Sequence, residues 1–157
     1  MRILLFSDTH RQTNLMEKGL KAHYGVELII HLGDCISDAI KFEAAHKNIK
    51  HEYVLGNNDW NKNYLYEKLL IIEKKRLFIT HGHNYNVKAG YEGIISKGIA
   101  EKVDAVFFGH THSVYEQYSE GILLLNPGSA ALYSGQDKPT YCLIDIENEN
   151  IRTKFNV

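Results

Sequence analysis

Ile3-Leu4-Leu5-Phe6-Ser7-Asp8-Thr9-His10 opens the chain with four apolar residues followed by four polar ones. The same change from apolar to polar recurs four more times, over residues 28–34, 53–59, 77–83 and 105–112. Short, continuous apolar runs that end in turn-forming residues are typical of strands buried on both faces. The sequence therefore predicts five buried strands, each of which ends in polar side chains.

Segments with helical periodicity lie between these runs, over residues 14–24, 37–47 and 90–102. The spacing of Asn14 and Glu17 predicts a capping box, and Ser37 is the expected N-cap of the second helix. The βαβαβ order of the first half implies parallel strands with helical crossovers, and hence an α/β fold. Shorter strand-like segments follow at 114–118, 122–125, 141–146 and 151–155. They predict either an antiparallel extension or a second sheet.

The composition is that of an ordinary globular protein, with 157 residues, 44% apolar residues and 24% charged residues. This length predicts one domain over residues 1–157. A formal net charge of -1 provides no field that would collect nucleic acid or an anionic membrane. Cys35 and Cys142 lack paired spacing, which argues against a disulfide framework or a thiolate zinc site. The apolar opening is too short for a signal peptide and no stretch reaches a membrane span, so we expect a cytoplasmic protein.

Oxygen and imidazole side chains follow the five predicted strands. They are Asp8, His10, Asp34, Asn57, His81, His110 and His112. Ligand sites of open α/β sheets lie beyond the carboxyl ends of the strands, so we expect these side chains to gather at one rim. Residues two apart in extended backbone point to the same side, which would bring each of the Asp8/His10 and His110/His112 pairs into the cluster.

Seven ligands exceed the need of a single catalytic zinc ion, which takes about three protein ligands. The set suits two metals that share a carboxylate, and Asp34 is the expected bridge because it stands alone on its loop. Without sulfur, the mixed nitrogen and oxygen set suits manganese, iron, zinc, nickel or cobalt. Metal pairs of this kind clamp an in-line displacement at phosphorus, with a bridging hydroxide as the expected nucleophile.

The order of these motifs resembles the calcineurin-like metallophosphoesterases. The matching motifs are Asp8-x-His10, Gly33-Asp34, Gly56-Asn57, His81-Gly82-His83 and Gly109-His110-Thr111-His112. The segment 126–129, Asn-Pro-Gly-Ser, resembles a further motif of the small bacterial and archaeal phosphodiesterase branch. The resemblance implies a four-layer αββα sandwich of two mixed β-sheets flanked by helices.

The resemblance also implies how the metals are shared. One metal would bind Asp8, His10, Asp34 and His112. The other would bind Asp34, Asn57, His81 and His110. Manganese is the metal that the resemblance favours, and the implied activity is hydrolysis of a small phosphodiester.

Two further residues are predicted to take part in catalysis, His83 and Asn58. Many relatives carry histidine directly after the ligand asparagine, where Asn58 stands here. An amide donates a hydrogen bond but supplies no proton, which predicts a preference for good leaving groups such as aryl esters. For His83 the sequence leaves four roles open: lining the phosphate site, donating a proton, holding a neighbouring ligand, or simply forming a turn.

Other functions stay open at this stage. A phosphomonoesterase or a nucleotide pyrophosphatase would use the same metals, and a protein-binding scaffold of the same fold is the alternative outside catalysis. The basic and aromatic segment 60–66 is expected to pack on the body rather than bind nucleic acid, although contact of Trp60 with a leaving group stays open. A homo-oligomer interface stays open for the tyrosines of the tail, Tyr115, Tyr118, Tyr133 and Tyr141.

Overall fold

The computed structural model describes residues 1–61, 63–132 and 138–156. Its helices are α1 (Asn14–Ala22), α2 (Ile36–Ala45) and α3 (Glu92–Ala100), with a 3-10 turn at His83–Tyr85. Its strands are β1 (Arg2–Phe6), β2 (Leu28–His31), β3 (Lys50–Tyr53), β4 (Glu67–Ile72), β5 (Lys75–Thr80), β6 (Ala105–Phe107), β7 (Val114–Ser119), β8 (Ile122–Pro127), β9 (Tyr141–Glu147) and β10 (Asn150–Asn156). Within these residues no helix has the length and apolar character needed to cross a bilayer.

The strands form two mixed sheets of five. The first sheet has the order β10-β9-β1-β2-β3, in which β1, β2 and β3 are parallel and are connected by α1 and α2. The second sheet has the order β4-β5-β6-β8-β7, with β5, β6 and β8 parallel. The tail supplies strands to both sheets, since β9 and β10 extend the first and β7 and β8 complete the second. The tail therefore forms both predicted structures. The β9–β10 hairpin is the antiparallel extension, and the β7–β8 hairpin belongs to the second sheet.

Three apolar cores divide the molecule into four layers. One core lies between the sheets and contains Ile3 and Leu5 of β1. Leu4 and Phe6 of the same strand face the opposite way, into a second core with Met16 of α1. A third core joins the second sheet to α3. Because β1 is covered on both faces, it needs a continuous apolar run rather than an alternating one, and the αββα sandwich is confirmed.

Several local expectations were wrong. The third strand ends at Tyr53, where the sequence predicted a strand that begins there, and β4 was not predicted at all. β4 is an edge strand with exposed Leu69 and Ile71, so it lacks the buried pattern of its neighbours. Helix α2 begins at Ile36 instead of taking Ser37 as its N-cap. The capping box at Asn14 does not form either, since Asn14 is already inside α1.

Candidate metal centre

All seven predicted ligands lie just beyond carboxyl ends of strands, at one edge of the sandwich. Three strands of the first sheet deliver Asp8 and His10 after β1, Asp34 after β2, and Asn57 after β3. Two strands of the second sheet deliver His81 after β5, and His110 and His112 after β6. The candidate centre therefore lies where the rims of the two sheets meet.

One group of potential ligands gathers around the side chain of Asp8. Its Oδ1 lies 3.1 Å from Nε2 of His112 and 3.9 Å from Nε2 of His10. Nε2 of His10 also lies 3.9 Å from Oδ2 of Asp34. Asp8, His10 and His112 present their ligand atoms within 4.8 Å of one another, which is the spacing that one metal ion could occupy.

A second group gathers around His81. Its Nε2 lies 3.5 Å from Oδ1 of Asp34, 3.9 Å from Oδ1 of Asp8 and 3.2 Å from Oδ1 of Asn57. The ring of His110 is centred 5.0 Å from the ring of His81. Asp8 and Asp34 thus both face this group, and Asp34 also faces His10 of the first group.

The hydrogen bonding of His81 is that expected of a metal-binding histidine. Its Nδ1 lies 2.7 Å from the carbonyl oxygen of Leu32, and since a carbonyl only accepts, Nδ1 carries the proton. Nε2, on the other side of the ring, faces Oδ1 of Asp34 and Oδ1 of Asn57, which are potential metal ligands themselves. A metal ion could bind atoms that converge in this way, and a far ring N–H that donates to a backbone carbonyl is the usual support of a metal-binding histidine.

Asp8 carries the same signature. The side chain is fully buried, and its Oδ2 accepts hydrogen bonds from the Ser7 hydroxyl at 2.5 Å and the His110 amide at 3.2 Å. Its Oδ1 has no hydrogen-bond partner in the described part of the chain. Burial raises the pKa of Asp8, but His112, His81 and the Ser7 hydroxyl outweigh burial and lower this pKa to about 2. The carboxylate is therefore ionised, with one oxygen aimed into the cluster.

The backbone of the ligand loops differs from the extended form assumed in the sequence analysis. Left-handed φ angles occur at five of the seven predicted ligands, which are Asp8, His10, Asp34, His110 and His112. Non-glycine residues adopt this region rarely, and such strain concentrates at functional sites. Each pair converges because its loop turns sharply, so the extended-backbone reason for the pairing was wrong.

Two glycines let the loops approach closely. A Cβ atom added to Gly56 would lie 2.1 Å from Oδ1 of Asp34, and one added to Gly109 would lie 2.0 Å from Oγ of Ser7. Both distances are far below any allowed contact, so no side chain fits at either position. The absence of a side chain at these glycines is what allows the loops after β2 and β3, and after β1 and β6, to pack together.

Residues 58 and 59 hold the Asp34 loop. The Asn58 backbone amide donates to Oδ1 of Asp34 at 2.9 Å, and its side-chain amide donates to Oδ2 at 2.6 Å. Asp59 accepts hydrogen bonds from the amides of Ile36 and Gly56, both at 2.9 Å. Asp59 thereby caps the start of α2 and ties it to the Asn57 turn. The predicted catalytic role of Asn58 stays a prediction, because its side chain here serves Asp34.

The Asp8 loop rests on a buried network that the sequence analysis missed. Thr9 donates from Oγ1 to Oδ2 of Asp38 at 2.8 Å, and the same oxygen accepts from the amide of Arg11. Nε2 of His31 lies 3.1 Å from the Thr9 hydroxyl, while its Nδ1 accepts from the amide of Gly33. Burial lowers the pKa of His31 to about 4, which keeps the ring neutral. His31 is thus a buried, hydrogen-bonded histidine. Asp38 lies in the first turn of α2, where an acidic residue is common and gave only a weak signal in the sequence.

The segment 126–129, which resembles a motif of the small phosphodiesterase branch, contacts two of the loops that carry ligands. The Asn126 side chain donates to the carbonyl of Gly109 at 2.9 Å and to the hydroxyl of Thr111 at 3.1 Å. The Ser129 hydroxyl donates to the carbonyl of Asp8 at 3.0 Å. Both side chains are fully buried. They brace the loops that carry the ligands of β1 and β6.

His83 stands at the edge of the cluster. Its ring is centred 5.4 Å from that of His81 and 6.1 Å from that of His110. Burial and the neighbouring His81 lower its pKa, so the ring is neutral near pH 7. Nδ1 of His83 is buried and has no hydrogen-bond partner among the described residues. The placement is that of a residue lining the centre, and it leaves the choice among phosphate contact, proton donation and ligand support to experiment.

The family model described as "Calcineurin-like phosphoesterase superfamily domain" matches residues 1–149. Among curated proteins, the chain is 31% identical to Phosphodiesterase MJ0936 of Methanocaldococcus jannaschii, over 97% of both chains. Solved structures agree in fold. A protein of Streptococcus pneumoniae TIGR4, described as a predicted phosphoesterase, aligns with a TM-score of 0.82 and 22% identity, covering 98% of this chain and 87% of its own. Zinc-bound Vps29 of Entamoeba histolytica aligns with a TM-score of 0.78 and 18% identity, covering 99% and 98%.

Proposed function

Because the chain belongs to the calcineurin-like phosphoesterase superfamily, and is thus a metallophosphoesterase, we propose that it hydrolyses small phosphodiesters with two divalent metal ions. The observation that carries this proposal is the convergence of potential metal ligands at one rim, where Asp8, His10 and His112 form one group and Asp8, Asp34 and His81 form another. The diesterase name of the archaeal relative supports the diester as substrate.

The residues present fit such a pair of ions. Asp8, His10 and His112 would hold one ion, and Asn57, His81 and His110 would hold the other. Asp34 would serve both, since it faces His10 as well as His81. When bound, two divalent ions supply the bridging hydroxide nucleophile and polarise the phosphoryl oxygens. The nitrogen and oxygen set suits manganese, which the resemblance favours, and zinc, which is bound in the Vps29 structure.

Side chains of the protein itself orient a metal ligand and line the space for the substrate. Asn58 holds both oxygens of Asp34, so the shared carboxylate keeps one orientation. His83 presents a neutral ring beside His110, where it can contact a phosphate oxygen or the departing ester oxygen. With no histidine at position 58, leaving-group protonation rests on His83 or solvent, in keeping with a preference for aryl esters.

Metal-dependent hydrolysis of bis(4-nitrophenyl) phosphate tests this function. With manganese we expect turnover, two ions per chain by elemental analysis, and loss of activity with chelator. Asp34→Ala should lower kcat/KM by about a thousandfold, because it removes a group that serves both ions and metal clamps supply several kcal/mol. Asp145→Ala, which removes a surface carboxylate paired with Arg2, is the matched control. Activity that survives chelation, or that is unchanged in Asp34→Ala, would overturn the proposal.

The alternatives to a phosphodiesterase are two other hydrolytic activities and one binding function, all on the same fold. A phosphomonoesterase or nucleotide pyrophosphatase would favour 4-nitrophenyl phosphate or a nucleoside triphosphate over the diester in the same assay. A protein-binding scaffold is the third, and the likeness to Vps29 is a likeness of fold alone. The convergence of all seven predicted ligand positions at one rim favours catalysis over a scaffold.

A further inference from the structure

The segment between the Asn57 turn and β4 exposes three large hydrophobic side chains. Trp60 is 91% exposed, Leu65 62% and Tyr66 46%. Tyr64 packs its ring 5.3 Å from that of Tyr53, as expected for a loop that packs on the body. Trp60 does not, so that expectation was wrong for the largest side chain of the loop. Lys62, which was part of the same expectation, lies outside the described residues.

Both ends of this loop are fastened beside the metal centre. At its start, Asp59 holds the amide of Gly56, and Trp60 follows directly. At its end, the Leu55 amide donates to the carbonyl of Leu65 at 2.8 Å. The Thr80 hydroxyl donates to the carbonyl of Tyr66 at 3.3 Å, and Thr80 immediately precedes His81. These bonds hold Tyr66 beside the loop that carries His81, and they hold Asp59, the residue before Trp60, beside the Asn57 turn.

The Tyr66 ring continues the row of rings that leads out of the centre. It is centred 5.6 Å from the ring of His83, in an edge-to-face arrangement. The His83 ring is in turn centred 6.1 Å from that of His110. An ester group that leaves the centre on the His83 side would therefore meet the ring of Tyr66.

Exposed aromatic rings beside a phosphate site have a physical use. Flat rings of a substrate stack on such side chains irrespective of their hydrogen-bonding pattern, and edge-to-face or offset contacts add to the area buried. We propose that Tyr66 and Trp60 form a subsite for an aromatic ring on the ester group of the substrate, such as a phenyl ring or a nucleobase. This inference rests on the proposed function and adds a substrate class to it.

Binding of two phosphonates to the manganese-loaded protein tests the subsite without requiring turnover. Phenylphosphonate and methylphosphonate share the metal-binding group and differ in the ring. By calorimetry we expect phenylphosphonate to bind about tenfold more tightly, from the lower range of stacking contributions. Tyr66→Ala and Trp60→Ala should each reduce this ratio toward one while leaving methylphosphonate affinity unchanged, and Tyr66→Phe should retain the ratio.

Tyr24→Ala is the matched control, since Tyr24 is 94% exposed at the far end of α1. Equal affinity for the two phosphonates, or a ratio unmoved by both alanine variants, would overturn the subsite even if diester hydrolysis is found. A ring preference that depends on Tyr66, in a protein that hydrolyses no diester, would support the subsite and overturn the diesterase proposal.

Discussion

Asp8 and Asp34 follow adjacent parallel strands, share left-handed φ angles of 55° and 60°, and are both buried, yet they are held in different ways. Asp34 accepts one hydrogen bond on each oxygen, both from Asn58. Among the described residues, Asp8 accepts two hydrogen bonds on Oδ2, while its Oδ1 accepts none and lies 3.1 Å from Nε2 of His112. Asp34 is thus oriented on both oxygens by Asn58, whereas Asp8 is held through Oδ2 and its Oδ1 faces His81 and His112.

The supports beneath the two residues differ as well. The Asp34 loop depends on one local turn, in which Gly56, Asn58 and Asp59 are close in sequence. The Asp8 loop depends on buried titratable groups from other elements, His31 on β2 and Asp38 on α2. A local steric or hydrogen-bond change should therefore disturb the Asp34 half, while a change in pH should disturb the support of the Asp8 half.

The largest effect should come from pH. Because the folded pKa of His31, about 4, lies below the ordinary 6.5, its contribution to stability is complete above pH 6.5. That contribution is lost as the pH falls through about 4. The difference corresponds to on the order of 3 kcal/mol. We expect the free energy of unfolding of metal-free protein, from urea titrations at pH 7 and pH 4, to fall less in His31→Gln than in wild type. An equal fall in both proteins would contradict the role of His31.

The second largest effect should come from a steric change in the loop that holds Asp34. In Gly56→Ala the new methyl group would displace Asp34, whose Oδ1 would lie 2.1 Å away. Small displacements of positioned groups cost about a hundredfold in rate, so kcat/KM for the aryl diester should fall by about that factor. Gly90→Ala is the control, because its added atom meets only the flexible end of Glu92. Wild-type activity in a folded Gly56→Ala protein would show that Asp34 has room to move.

The smallest effect should come from Asn58→Ala. Oδ2 of Asp34 loses its donor, while the backbone amide at position 58 still holds Oδ1. Hydrogen-bond partners of metal ligands are worth about tenfold or more in metal affinity. We expect a tenfold rise in the manganese concentration that supports half-maximal activity, with a smaller change in kcat. Asn48→Ala, at an exposed turn after α2, is the control. An unchanged manganese requirement would place the function of Asn58 elsewhere, for instance at the leaving group.

The buried strands were predictable, because a strand segment covered on both faces must be continuously apolar, as residues 3–6 of β1 and 122–125 of β8 are. The edge strand β4 was not predictable in this way, since exposure of Leu69 and Ile71 removes that constraint. The start of α2 was also missed, because its cap is not a neighbour in sequence. The amide of Ile36 is bound by Asp59, which is distant in sequence, so a search for a local cap led to Ser37 instead.

By itself, the sequence determined the buried strands and the positions of the candidate ligands, because apolar runs and the polar residues that end them are local properties of the chain. The αββα sandwich was implied by the resemblance of these motifs to the calcineurin-like metallophosphoesterases. Only the tertiary structure decided which oxygens face a donor and which stay bare, and it alone joined Thr9, His31 and Asp38 beneath the Asp8 loop. Those contacts connect residues 22 and 29 positions apart. Hydrogen bonds at such separations depend on how the strands and helices pack, and no local pattern encodes them.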